Sequence, residues 1–340
     1  VHEGQLKTQG REASMSWKKF AALAAVSSLA LAGCATAGGD TTEPVAAGGD
    51  NADIKICVYT HGDGGTFWSV AQAGAEAAAA DLGVTLDYQG STNDSAKQAS
   101  TIEAGVAGGC SGIAASAPDA EAITDAMLAA ADAGIPTVTM NSGSSVFRDL
   151  GAFTHVGQDE IVAGREAGLR FNDLGATKIL CPIQEAANSG LTDRCAGARE
   201  TFDGEVIDFN IDGGLADLAG SATKIQAALE ADPAIDGIFA LNADIATGAA
   251  LVASDATGRN AIIGTVDMSA DALTAIKDGK MAFAVDQQQY AQGYMSVVLL
   301  FLNITNAHEL GGGLPIYTGP GFVTADNVDK VMELVAAGTR

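Results

Sequence analysis

DIKICVYTHGDGGTFWSVAQAGAEAAAADLGVTLDY, residues 53–88, holds one complete folding unit. Ile54 to Tyr59 is a run of apolar and β-branched residues that predicts a buried strand. Phe67 to Leu82, rich in alanine and stopped by Gly83, predicts a helix, and Val84 to Tyr88 predicts the next strand. A strand, a glycine-bearing turn, a helix and a second strand within roughly 35 residues form the βαβ unit of parallel sheets.

Outward from this unit the alternation continues. Ser95 to Ala107 reads as a helix, Gly112 to Ala115 as a short buried strand, Pro118 to Ala133 as a helix ended by Gly134, and Thr137 to Met140 as a strand. Pro in the first turn and Gly just past the end is the asymmetry that helices prefer. Asn141 to Asp159 is irregular, and then the pattern restarts. Helices are expected at Glu160 to Leu174, Leu191 to Phe202, Leu218 to Leu229, Ala243 to Ser254 and Ala270 to Lys277. Strands are expected between them at Lys178 to Cys181, Val206 to Phe209, Gly237 to Ala240, Ile262 to Val266 and Ala282 to Val285. A helix from Tyr290 to Asn303 follows, and Val328 to Ala336 closes the chain. Strict alternation with short connections means parallel sheets covered on both faces. A single (β/α)₈ barrel needs eight units, whereas roughly ten strands fall into two groups here, so two doubly wound lobes are favoured. The expected fold class is α/β with two parallel-sheet lobes.

Composition narrows the partners. The chain has 340 residues, 47% apolar and 18% charged, which excludes global disorder. With 18 Lys plus Arg against 42 Asp plus Glu, the formal net charge is −24. A surface that neutralises nucleic-acid phosphates or anionic lipid is not expected from that balance. A neutral or cationic partner, or one met through a local patch, is.

The first 52 residues read as an address and a tether. From Met15 to Gly33 the order is Lys18 and Lys19, an uncharged apolar stretch from Phe20, and small residues before Cys34, the layout of a secretory signal too short to span a membrane. Leu31-Ala32-Gly33-Cys34 resembles the bacterial lipobox, in which the cysteine is lipidated; an ordinary cleaved signal is the alternative. Residues 1–14 precede the better start and are set aside. Residues 34–52 hold glycines, acids and no aromatic side chain, a flexible leash. Extracytoplasmic placement, anchored to the membrane through Cys34, is the expectation.

The other four cysteines, Cys57, Cys110, Cys181 and Cys195, form an even set in an oxidising compartment, with three pairings open and no C-x-x-C metal spacing. In a two-lobed fold Cys57 and Cys110 fall in one lobe and Cys181 and Cys195 in the other, which favours those pairs over buried free thiols.

Ligands of doubly wound sheets bind beyond the carboxyl ends of the strands. After the first strand stand His61, Gly62, Asp63, Gly64 and Gly65, then Phe67 and Trp68, whose rings can lie against a sugar's C–H face or merely staple the helix to the sheet. Neither G-x-G-x-x-G nor a P-loop is present here. Other strand ends give Asn141, Asn242 with Asp244, Asp267 and Gln287, and Arg194 lies one turn into its helix. Amides, carboxylates and one guanidinium both donate to and accept from vicinal hydroxyls. Each alone also reads as a turn or helix cap, Asn242 most obviously.

At these residues the sequence resembles the ribose/galactose type of periplasmic sugar-binding proteins, the receptors of ATP-driven monosaccharide importers. The likeness runs from Ile54 to about Asn327 through THGDGGTFWSVAQAG, AGIPTVTMNSG, HVGQDEIVAG, Arg194-x-x-Gly197, IFALNADIATGA, IIGTVDMS and AVDQQQYAQGY. The resemblance implies a three-crossing hinge, with lobes at 53–156 plus 288–318 and 157–287 plus 319–340. It implies a sugar ring flanked by Phe67 and Trp68 and bonded by Asn141, Arg194, Asn242, Asp267 and Gln287, with His61 and Asp63 as selectivity candidates. Asn141 stands where the family often has Asp, which argues against ribose or galactose themselves. The implied partners are a monosaccharide and the transmembrane subunits of an ABC permease, and the implied state is a monomer with no catalytic residue, metal or cofactor. Two rivals are a sugar-sensing receptor for a chemotaxis or kinase partner, and a secreted glycosidase using two of Asp63, Asp244 and Asp267.

Overall fold

The computed structural model describes residues 51–211 and 213–340. The signal at 15–33, Cys34 and all but the last two residues of the leash lie outside them. In the first half the order is β1 (Asn51–Thr60), α1 (Gly65–Leu82), β2 (Val84–Gly90), α2 (Ser95–Ala107), β3 (Gly112–Ser116), α3 (Ala120–Asp132), β4 (Thr137–Met140) and β5 (Thr154–Gly157). The second half runs α4 (Glu160–Asp173), β6 (Lys178–Ile183), α5 (Ser189–Thr201), β7 (Glu205–Asn210), α6 (Leu218–Ala231), β8 (Gly237–Ala240), α7 (Ala243–Ile245), α8 (Leu251–Thr257), β9 (Ile262–Val266), α9 (Ala270–Lys277) and β10 (Phe283–Asp286). Then come α10 (Gln289–Asn306), β11 (Ile316–Tyr317), β12 (Gly321–Val323) and α11 (Val328–Ala336).

Two six-stranded sheets result, ordered β11-β5-β4-β3-β1-β2 and β12-β10-β9-β8-β6-β7. Every pairing is parallel except β10 with β12. The expected doubly wound lobes are what the chain forms. Period two along the strands shows why both faces are covered: Ile56 and Val58 enter one apolar core while Cys57 and Tyr59 enter another on the opposite face. In β6, Ile179 and Cys181 face one core and Leu180 the other.

Several boundaries differ from the sequence reading. β1 starts at Asn51, inside the tract read as leash, and pairs with β2 across a bulge. β5 lies within the segment read as irregular, and β11 and β12 are too short to show a period. The helix expected from Pro118 starts at Ala120, where Asp119 caps it by accepting from the Ala122 N–H. β6 continues through Pro182 to Ile183, where the β7 ladder runs on beyond the Ile179 and Leu180 pairs with β8. The single helix expected from Ala243 is α7 and α8 joined by a π-turn over Ala246–Ala250.

The chain passes between the sheets at three places, after β5, after β10 and after β11. Both favoured disulfides are present, Cys57–Cys110 with Cα atoms 5.9 Å apart and Cys181–Cys195 at 6.1 Å, each within one lobe. No helix among the described residues is long and apolar enough to cross a membrane.

Candidate functional site

Each sheet reverses its winding order beside its first strand, at β1/β3 and β6/β8, and the carboxyl ends of these strands face each other across a cleft. Between them lies a space of about 420 Å³, part of it continuous with solvent. His61, Gly64, Phe67, Trp68, Asn141 and Ser142 line it from the first lobe. Asn188, Arg194, Asn242 and Asp267 line it from the second, with Gln287 at the crossing after β10. Eight of the nine residues expected from the sequence thus converge. Asp63 does not: it is exposed and accepts a hydrogen bond from Thr92 at 2.8 Å.

Two lining residues share an unusual backbone. Asn141 directly follows β4 with φ 61° and donates its N–H to Val156 of β5 at 2.9 Å. Asp267 directly follows β9 with φ 70° and donates its N–H to Val285 of β10, also at 2.9 Å. The left-handed region is disfavoured for side chains other than Asn and Asp, and it turns both side chains off the strand ends into the cleft. The lobes therefore present their amide and carboxylate from corresponding positions.

Hydrogen bonds link these groups. Gln287 Nε2 donates to Asp267 Oδ1 at 2.5 Å, Asn242 Nδ2 to Asp267 Oδ2 at 3.4 Å, and Asn141 Nδ2 to Gln287 Oε1 at 3.4 Å. Asn242 also caps α7, accepting from the N–H groups of Asp244 and Ile245, so it is a helix cap and a cleft-lining residue at once. Burial raises the Asp267 carboxyl to about 6, against the downward pull of Arg194 and the Gln287 hydrogen bond. Burial lowers His61 to about 4, against the Glu185 carboxylate. The His61 imidazole shares a 2.8 Å hydrogen bond with Ser116 through Nδ1, and its Nε2 lies 3.8 Å from Glu185. Trp68 sits edge-on between His61 and Phe67, with ring centroids 4.9 and 4.7 Å away. The two aromatic rings serve both readings: they line the cleft and belong to a core of the first lobe.

Sequence reasoning missed Gln184 and Glu185, which line the cleft just beyond β6. Ending that strand at Cys181 hid its true carboxyl end. Leu191, Leu215 and Leu241 add an apolar floor that no polar motif marks. The lobes touch where Thr66 N–H meets Asp244 Oδ2 at 3.4 Å, where Asn93 meets Glu185 at 3.5 Å, and where Ser189 Oγ donates to the Pro118 carbonyl at 3.1 Å.

A family model described as periplasmic binding protein domain matches residues 56–307, and the chain belongs to that family. A carbohydrate transporter structure from Acidothermus cellulolyticus 11B, in complex with myo-inositol, superposes with a TM-score of 0.81 at 39% identity, covering 84% of this chain and 99% of that one. The xylose/arabinose-binding protein of Sulfolobus acidocaldarius is 25% identical over 295 residues, 82% of this chain and 73% of that protein. The xylitol-binding protein of Mycolicibacterium smegmatis is 26% identical over 327 residues, 93% of this chain and 88% of that one. The Sulfolobus and Mycolicibacterium relatives are binding proteins, and the chain, as a member of this family, is a binding protein and not an enzyme, which removes the glycosidase reading.

Proposed function

We propose that the protein is an extracytoplasmic solute receptor that captures a monosaccharide or a related cyclic polyol and delivers it to an ABC-type sugar permease. The observation that carries this reading is the convergence of Asn141, Arg194, Asn242, Asp267 and Gln287 with Phe67 and Trp68 around one cleft. Such a set pairs vicinal hydroxyls at its edge and covers a ring's C–H face. A missing hydroxyl leaves a buried amide or carboxylate unpaired, at about 1–3 kcal/mol. Inositol in the complex of the 39% identical relative puts cyclitols beside pentoses, hexoses and deoxy sugars as candidates.

Uptake works by hinge closure, a motion for which this family is a standing example. A ligand seated on one lobe gains contacts with the other only when the lobes meet, and that difference shifts the balance. Cys34 anchors the monomer to the membrane, and the permease subunits read the closed face. The anionic surface keeps the receptor soluble. A tryptophan-fluorescence titration over pentoses, hexoses, deoxy sugars and cyclitols tests the reading. Saturable binding with the ligand recovered unchanged is expected, and no response to any neutral polyol would sink it.

A further inference from the structure

Arg194 is the one cation lining the cleft among the described residues, and its charge is already engaged. Its Nε–H donates to Glu160 Oε2 at 2.6 Å and an Nη2–H to Glu160 Oε1 at 3.0 Å, a two-pronged fork. An Nη1–H goes to the Leu241 carbonyl at 2.8 Å, so two of the five N–H groups remain for a ligand. Both partners are buried, and Gln158 Nε2 holds Glu160 Oε2 from behind at 2.8 Å. The fork forms because α4 and α5 pack in near backbone contact. A Cβ on Gly197 would lie 2.1 Å from the Ile161 carbonyl oxygen, and one on Gly164 would lie 2.1 Å from that of Arg194. Glu160 opens α4 and Arg194 lies in the second turn of α5, so this approach brings carboxylate and guanidinium together.

With Arg194 matched by Glu160, the remaining charges on the cleft are the carboxylates of Asp267 and Glu185, and His61 beside Glu185 is buried in its neutral form. Arg194 can then donate to neutral hydroxyls but has no net charge to offer a ligand carboxylate or phosphate. We propose that Glu160 is a specificity-determining residue, one that neutralises Arg194 and restricts the cleft to neutral and amine-bearing polyols while rejecting acidic sugars. This rests on the polyol-receptor reading above and adds the charge class of its ligand.

The experiment compares three probes of one ring size at pH 7.5: the best neutral sugar or cyclitol of the panel, its uronate and its amino analogue. Wild-type protein is expected to bind the neutral and amino compounds and to bind the uronate at least about tenfold more weakly. In Glu160→Gln, which keeps a fork-shaped acceptor without its charge, the neutral-to-uronate ratio is expected to fall by about tenfold or more. Glu160→Gln with Arg194→Gln is expected to restore the discrimination. A salt series on wild-type protein gives a second measurement that needs no variant. Uronate affinity that rises with salt, as screening relieves repulsion, supports the proposal, whereas affinity greatest at low salt shows an unneutralised Arg194 and overturns it. A uronate bound as tightly as the neutral parent, or an unchanged ratio in a folded Glu160→Gln, also overturns it. Failure of every neutral polyol to bind would instead defeat the receptor reading itself.

Discussion

Asp267 combines a left-handed backbone, deep burial and a carboxyl raised to about 6 by that burial. A ligand hydroxyl donating to it binds the ionised form, so affinity is full above that value and declines below it, approaching about tenfold per pH unit. Calorimetric titration between about pH 8 and about pH 5 should show this decline in wild-type protein and none in Asp267→Asn. A flat wild-type profile would remove Asp267 from the contact set. The histidines govern stability in the same range. Burial holds His61 near 4 and His155 near 3, against 6.5 for the free side chain. The unfolded chain therefore binds more protons between those values, and stability falls as pH drops through the window. Asp267, at about 6 against its ordinary 3.8, and Asp193, also raised by burial, act oppositely and offset part of that loss. The melting temperature should drop from neutral pH toward pH 4, and His155→Gln should flatten that slope in a thermal melt.

Among the elements, the α4–α5 contact is exacting, because its glycines leave no room for a methyl group. Gly197→Ala must separate the helices, which is expected to cost about 1–3 kcal/mol in urea unfolding and to weaken ligand binding through Arg194. Unchanged stability and affinity would show that the helices can slide apart freely. The alternation of elements was legible in the sequence because parallel strands are apolar runs and their helices are capped by residues such as Asp159 and Gly83. What stayed hidden has physical reasons. β11 has two residues, too few to show any period. The strand expected to end at Cys181 runs on through Pro182 to Ile183, and that shorter expectation concealed Gln184 and Glu185. Glu160 entered the sequence reading only as the first residue of a helix, and only packing against α5 reveals its partner. The strand-end rule led to cleft-lining positions at Asn141, Asp267 and Gln287, each directly after its strand, and at Asn242, one residue further on; Asp63 lies outside because two glycines flank a turn that carries it outward.

At the scale of the molecule, the lobes meet closely at Gly65, with φ 82°, where a Cβ would stand 2.9 Å from Asp244 Oδ2. Gly65→Ala should hold the cleft ajar, giving weaker binding and a larger radius of gyration in small-angle scattering with saturating ligand. Equal affinity and equal radius would show that this contact does not limit closure. The crosslinks offer a complementary measurement. They close loops of 53 and 14 residues. Removing either pair by Cys→Ala should cost about 3–4 kcal/mol in denaturant unfolding, with little change in ligand affinity. A large loss of affinity would mean that the covalent ties shape the cleft directly.

Neither covalent tie bridges the gap between the halves. Each stiffens its own half as a rigid jaw, and the halves are joined by the three chain crossings and non-covalent contacts, with no disulfide across the joint. Oxidation in the outer compartment then hardens the gripping surfaces without freezing their motion, so durability and responsiveness can be adjusted independently in one chain.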